Sequence, residues 1–281
     1  MKVEVWGSRG SLPASGTDTV RYGGNTSSVL VVGSEGEHVI LDAGTGIRPL
    51  GLALPEDLRR VDILVTHLHM DHLQGLGFFP QLFGGEAEVH IWGPPSTTMS
   101  LHQRLSRYLS PPLFPVRLRD MPRRPELHDA RSYFRIGSLR VRAKRICHPG
   151  GTVGYRLTDP TGDCLAYLPD HEPALGQRNF PGAYEWTSGF DLIRHADLLI
   201  HDAQYTDEEY PDHVGWGHTS VSQLAALATL GEVRRLMPFH HDPGHTDDMI
   251  DAMAYAIARQ APSLELVSGQ EGSRIDVAPR L

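Results

Sequence analysis

The sequence predicts an α/β protein in which two β-sheets pack face to face with helices on their outer sides. Three observations carry that expectation: short strand-like runs recur along the whole chain, the early ones are joined by short glycine-rich turns, and helical patterns fall between and after the later ones. The 281 residues suit one large α/β unit spanning 1–281, and a 40% hydrophobic content supplies material for a sizeable core.

Residues 3–6, 27–33, 38–42, 61–67 and 88–93 read as strands, rich in Val, Ile and Leu and bounded by Gly, Asp or His. After them the chain changes character. Residues 94–126 carry Pro94, Pro95, Pro111, Pro112, Pro115, Pro122 and Pro125 and read as an irregular insertion over a site, with a helix at 98–109 inside it. Strands resume at 138–146, 152–158, 163–170, 197–202 and 234–240. A helix is expected over 220–230, where Ser220 and Gln223 stand at capping-box spacing, Val221, Leu224, Ala225 and Ala228 form an apolar stripe, and Gly231 supplies the stop. A second is expected over 247–259, with Thr246 as N-cap, Asp247 and Asp248 in the first turn, and Ile250, Met253, Ala254 and Ile257 facing inward.

The formal net charge of −8 argues against indiscriminate binding to nucleic acid or anionic lipid. Residues 117–145 run against that balance. Arg117, Arg119, Arg123, Arg124, Arg131, Arg135, Arg140, Arg142, Lys144 and Arg145 face only Asp120, Glu126 and Asp129 there, so the tract is either a solvated strand face or a surface that meets an anionic substrate. No run approaches the ~18 apolar residues of a membrane span, and the opening MKVEVWGSRG lacks the apolar stretch of a signal peptide. The expected location is the cytoplasm, with no membrane partner. Cys147 and Cys164 fit neither a redox pair nor a zinc knuckle and read as small buried residues.

Sixteen histidines in 281 residues point toward metal before any motif is read. The most informative segment is Thr66-His67-Leu68-His69-Met70-Asp71-His72, directly after the apolar run at 61–65. Four potential ligands in six residues, at the end of a strand that must itself be buried, cannot all be satisfied core polar groups. Their desolvation calls for a cation among them.

This His-x-His-x-Asp-His pattern resembles the signature of the metallo-β-lactamase superfamily, and the resemblance extends across nearly the whole chain. It implies a four-layered αββα sandwich. Upstream, Leu41-Asp42-Ala43-Gly44 resembles the family's aspartate-bearing turn, with Asp42 holding the ligand loop from behind. Downstream, His148, Asp170 and His240 each end an apolar strand, as the family's later ligands do. The resemblance implies two divalent ions, one on His67, His69 and His148, the other on Asp71, His72 and His240, with Asp170 bridging. Zinc is the default, and mixed nitrogen and oxygen ligation also accepts manganese or iron. His241 is as able as His240 to reach the site, while His171, His213 and His245 stay unassigned.

Two further segments resemble the phosphodiesterase branch of that superfamily, which includes ribonuclease Z and related cyclic-nucleotide phosphodiesterases. One is the glycine-rich opening at 5–11 and 22–27. The other joins His201-Asp202-Ala203 to Gly217-His218-Thr219-Ser220, similar to a paired acidic residue and histidine in which the histidine protonates the leaving oxygen. His218 precedes a helix N-terminus, whose dipole disfavours imidazolium, so Asp202 is expected to restore its proton. The implied catalytic residues are Asp71, His218 and Asp202. The implied activity is hydrolysis of cyclic nucleotides or other small phosphodiesters through a metal-bridging hydroxide. A ribonuclease Z-like endonuclease and a thioester or lactone hydrolase are the alternatives. Ribonuclease Z holds tRNA with a long glycine-rich arm, and no stretch between Asp170 and His201 resembles one. The expected partner is therefore a small anionic substrate, with RNA as the alternative, and the resembling branch implies a homodimer. Tyr108, Phe114 and the basic tract are expected to form a pocket wall on which a base can stack.

Overall fold

Two seven-stranded sheets account for the strand-like runs in the computed structural model, which describes residues 1–177 and 179–278; positions 178 and 279–281 of the expected domain lie outside the described residues. The first sheet holds β1 (Lys2–Gly7), β2 (Ser28–Val32), β3 (His38–Leu41), β4 (Arg60–Leu64), β5 (Glu88–Gly93) and β6 (Glu126–Asp129) in sequence order. The second holds β7 (Tyr133–Ile136), β8 (Leu139–Arg145), β9 (Val153–Thr158), β10 (Cys164–Leu168), β11 (Leu198–Asp202), β12 (Arg235–Phe239) and β13 (Glu265–Leu266), also in order. A late strand, β14 (Arg274–Asp276), returns to pair antiparallel with β1.

Side chains alternate along each strand, and that alternation builds the layers. Val3, Val5, Val39 and Leu41 meet Tyr155, Leu157, Tyr167, Ile200 and Phe239 between the sheets. The intervening Ile40, Ile63 and Ile91 face the opposite way, onto α1 (Ile47–Ala53) and α2 (Leu101–Tyr108). On the other side Ala166, Leu168, Leu199 and Leu236 pack against α3 (Phe190–Ile193), α4 (Val221–Leu230) and α5 (Asp247–Gln260). The result is the expected helix–sheet–sheet–helix sandwich.

The helix signals act at the residues that carry them. The Ser220 hydroxyl accepts from Gln223 N at 3.4 Å, and that of Thr246 from Met249 N at 3.3 Å. Gly231 ends α4 for a different reason than a left-handed turn: its φ is −76°, and a Cβ there would lie 2.7 Å from the Ile193 side chain. The left-handed position falls on Glu232 instead.

The Pro-rich segment differs from its expectation. It crosses the outer face of the first sheet, with Leu101, Leu105, Phe114 and Leu118 buried in that layer. Phe114 is thus core, and Tyr108 is half-buried with its hydroxyl donating to Gln74 O at 2.9 Å, so neither presents a free ring to a substrate. Half of the basic tract, Arg135, Arg140, Arg142, Lys144 and Arg145, lies on β7 and β8, where Arg140, Arg142 and Lys144 point outward between buried Val141 and Ala143. Asp191 pairs with both Arg142 and Lys144. Strands β6, β7, β13 and β14 escape sequence reasoning because they are edge segments of four residues or fewer, too short to show a pattern. Among the described residues no helix is long and apolar enough to cross a membrane.

β3, β4 and β5 run parallel, as do β10, β11 and β12, so within each sheet their carboxyl ends emerge on one rim. Two tyrosines tie the rims together across the core: Tyr155 donates to Val65 O at 2.8 Å and Tyr167 to the Asp42 carboxylate at 3.0 Å. The chain turns that follow these strands therefore converge.

Candidate metal centre

Asp42 follows β3 in the left-handed region, φ 60°, and its carboxylate gathers the loop after β4. It accepts from Thr66 N at 2.7 Å, from the Thr66 hydroxyl at 2.9 Å and from His72 Nδ1 at 2.8 Å. That last bond leaves His72 Nε2 to face forward, the usual way a carboxylate orients an imidazole ligand. His67 is fixed similarly, with Nδ1 3.1 Å from the Thr66 hydroxyl. From the second sheet, His148 donates Nδ1–H to Gly217 O at 2.8 Å, and His240 sets its Nδ1 3.0 Å from the Gln204 amide oxygen. In each case the other ring nitrogen turns inward.

The inward atoms form two adjoining groups. In the first, donor atoms of His67, His69 and His148 lie within 4.8 Å of one another, with His148 Nε2 3.2 Å from His69 Nδ1. In the second, Asp71, His72, Asp170 and His240 converge to the same limit. Asp170 touches both: Oδ1 is 2.9 Å from His72 Nε2, while Oδ2 is 3.3 Å from His240 Nε2 and 3.7 Å from both His67 and His148. Every residue of the two groups except His69 is buried.

This arrangement suits a divalent cation. His67 Nε2 is buried with no hydrogen-bond partner, and Asp170 Oδ1 is buried against His72 Nε2, whose other nitrogen is already committed to Asp42; this is a costly state unless something positive lies among them. Burial holds His67 well below the ordinary histidine range, lowers His69, and takes His148 down to about 4, so all three present neutral, lone-pair-bearing nitrogens. Burial acting alone would raise Asp170 and Asp71, but the facing His240 and His72 hold both carboxyls well below the carboxylate range. His72 differs: against burial, Asp170, Asp71 and Asp42 hold it well above the ordinary histidine range, so a cation bound there would displace its proton. Neutral imidazoles at His67, His69 and His148 with ionised carboxylates make a donor set that zinc, manganese and iron all accept.

At the edge of the cluster, His218 Nδ1 sits 2.6 Å from an Asp202 oxygen, the other Asp202 oxygen accepting from Thr219 N at 2.9 Å and Gln204 N at 3.1 Å. The His218 ring stacks on His240 at 5.1 Å and meets His148 edge-on at 4.9 Å. Burial opposes its protonation, yet Asp202, with Asp170 and Asp71 behind it, pushes His218 up to about 8.

Other histidines are placed elsewhere. His241, adjacent to His240, turns away to meet Tyr22 edge-on at 5.4 Å and joins no donor group. His245 faces Glu209 at 3.0 Å, His213 faces Glu209 O, and His171 pairs with His201 at 2.8 Å.

Sequence reasoning missed how the opening segment shapes the site. Ser11 N donates to the Asp71 carboxylate at 2.8 Å, and the wholly buried Arg9 anchors that segment through Gly23 O and His245 O. Gly10 leaves the space His240 needs, since a Cβ there would fall 2.4 Å from its ring. A charged residue between close-spaced glycines was the available signal. Gly10→Ala is accordingly expected to push His240 aside and weaken metal affinity roughly 10–100-fold, the usual effect of disturbing a ligand's support. Metal titration beside a circular-dichroism melt checks it; unchanged affinity would refute that role for Gly10.

Beside His67 and His69 a cleft of about 300 Å³ opens between Pro94–Thr97 and Pro149–Gly151, with Arg104 and Arg145 on its walls. This is the part of the Pro-rich segment, and of the basic tract, that reaches the site.

A family described as "Beta-lactamase superfamily domain" matches residues 37–241. A ribonuclease Z of Myxococcus xanthus (strain DK1622) is 26% identical over 255 residues, covering 79% of this chain and 83% of its own. Among solved structures, the metallo-β-lactamase fold protein YhfI from Bacillus subtilis aligns with a TM-score of 0.73 at 18% identity, covering 98% of this chain and 99% of that one. A diphosphatase from the PhnP family aligns at 0.67 with 20% identity, covering 100% and 99%. Matched over the span that holds Asp42, all seven clustered donor residues and His218, the chain belongs to the beta-lactamase superfamily and is a metal-dependent hydrolase.

Proposed function

We propose that this chain is a phosphodiesterase with a dinuclear centre, acting on cyclic nucleotides or other small phosphodiesters. The observation that carries the proposal is the His218–Asp202 pair, a histidine kept protonated at the edge of the clustered donors, against both His148 and His240. An alkoxide leaving from phosphorus needs a proton in the transition state, and His218 is the group placed to give it. Asp202 orients and charges that ring. In this proposal His67, His69 and His148 hold one ion and Asp71, His72 and His240 the other, with Asp170 shared; zinc is the first candidate. Bound there, the ions would activate a water and spread the charge developing at phosphorus. Asp42 keeps His72 aimed, and Ser11 N steadies Asp71.

The direct test is a hydrolysis screen of the metal-loaded protein against cyclic mononucleotides, a precursor tRNA and a thioester side by side. Preference for the thioester would refute the proposal. A ribonuclease Z-like endonuclease is the second reading, favoured by relatives of that name that match about four fifths of the chain. The segment between Asp170 and His201 favours the small substrate, because its described residues form a short turn at Tyr184–Trp186 and the four-residue α3 rather than a glycine-rich arm.

Salt dependence separates the two. With Arg142 and Lys144 already paired to Asp191, the basic face is expected to contribute little, and KM for a mononucleotide should vary weakly with ionic strength. For RNA, a log–log slope implying about four or more neutralised phosphates would place ribonuclease activity first. The homodimer implied by the family resemblance belongs to the same proposal, and light scattering of the purified protein tests it.

A further inference from the structure

Just before His218 the chain displays a tryptophan in an unusually determined way. Trp216 is 60% exposed and stands between Gly215 and Gly217, both left-handed, with φ of 87° and 91°. Glu172, 1% exposed, clamps the loop from beneath: one carboxylate oxygen accepts from Gly215 N at 2.8 Å and Tyr210 OH at 2.7 Å, the other from Gly217 N at 3.0 Å. Burying a carboxylate is costly, and three donors from the loop and its neighbour are what offset it here. The same Gly217 supplies the carbonyl that orients His148. Nor can Gly217 change, since a Cβ would meet Pro149 at 2.4 Å and His148 at 2.6 Å.

The indole also has a fixed relation to the acid. Its edge meets His213 at 4.9 Å, His213 stacks on Tyr205 at 4.3 Å, and Tyr205 meets His218 edge-on at 5.8 Å. A group that donates a proton to the leaving oxygen must lie on the leaving group's side of phosphorus. Trp216 is the exposed aromatic two residues along the chain from that acid, joined to it through the rings of His213 and Tyr205.

We propose that Trp216 is the platform on which the nucleobase of the nucleoside bearing the leaving oxygen stacks, and so determines specificity for nucleotides over other phosphodiesters; this rests on the phosphodiesterase reading above. Stacking on an aromatic ring tolerates every base, because each has a π-face. The expected selection is therefore for a nucleobase as such, not for one base.

Metal-loaded wild type, Trp216→Ala and Trp216→Phe are compared on a 3′,5′-cyclic nucleotide and on the base-free ribose cyclic phosphate. Trp216→Ala should raise KM for the nucleotide roughly 5- to 100-fold, the range that base stacking supplies, with kcat little changed. Trp216→Phe should recover most of it, and KM for the base-free substrate should not move. Without turnover, adenosine monophosphate should quench tryptophan fluorescence of the wild type, and the quench should vanish in Trp216→Ala. Equal effects on both substrates, or no effect on either, would overturn the proposal. So would a dimer that Trp216→Ala splits while KM stays constant, which would make the indole an interface residue. If no phosphodiester is hydrolysed by the wild type, the activity reading fails on its own, and the fluorescence quench alone then decides whether Trp216 holds a base.

Discussion

Replacing His67 or His72 by alanine should each abolish hydrolysis, and neither loss should stay confined to one ion. Asp170 links the groups, its Oδ1 lying 2.9 Å from His72 and its Oδ2 3.3 Å from His240 and 3.7 Å from His67 and His148. Removing His72 also frees an Asp42 oxygen that braces Thr66 and Tyr167, so the loop that presents His67 loosens as well. Elemental analysis should find two ions per chain in the wild type and fewer than one firmly held in either variant. A fully active preparation holding one tightly bound ion would end the dinuclear mechanism. Folding should survive both changes, because the histidines sit on loops after β4 while the core between the sheets is apolar.

Removing the acid should be selective by substrate. His218→Ala is expected to lower turnover of a nucleotide diester by roughly 10²–10⁴-fold, the usual worth of a general acid. Bis(p-nitrophenyl) phosphate should lose far less, since nitrophenolate departs without needing a proton. Metal content should not change, because each ion keeps its trio, His67, His69 and His148 or Asp71, His72 and His240, although His218 also lies within donor distance of His148, Asp170 and His240. For its partner, Asp202→Asn is a cleaner variant than alanine: Asp202 also accepts from Thr219 N and Gln204 N, and Gln204 in turn orients His240. Both of those bonds fall on one Asp202 oxygen, so the amide oxygen can keep them while the charge facing His218 is removed, and the variant should show the His218→Ala selectivity in weaker form. Equal losses on both substrates with metal content intact would mean that His218 positions the substrate or the fold, and the phosphodiesterase proposal would lose its main support.

Much of this protein follows from local pattern. The sandwich was legible because continuous apolar runs such as those of β10 and β12 must bury one face on a second sheet and the other under helices. Helices α4 and α5 were legible from caps at Ser220 and Thr246 that the folded chain uses. The donors at 67–72 announced a cation because so many polar groups at the end of a buried strand have no other means of being satisfied. Tertiary structure alone decided the rest. His240 and His241 are equivalent in sequence, and only a left-handed backbone at His240, φ 57°, beside the space left by Gly10, sends one ring to the site and the other behind it. Phe114 and Tyr108 read as free aromatics until the Pro-rich segment folds them onto the first sheet. Glu172 carried no signal, because a carboxylate that clamps backbone N–H groups 43 and 45 residues away leaves no spacing to read. Contacts within one element are written in its periodicity; contacts between loops are written only in the packing that brings strand ends to a common rim.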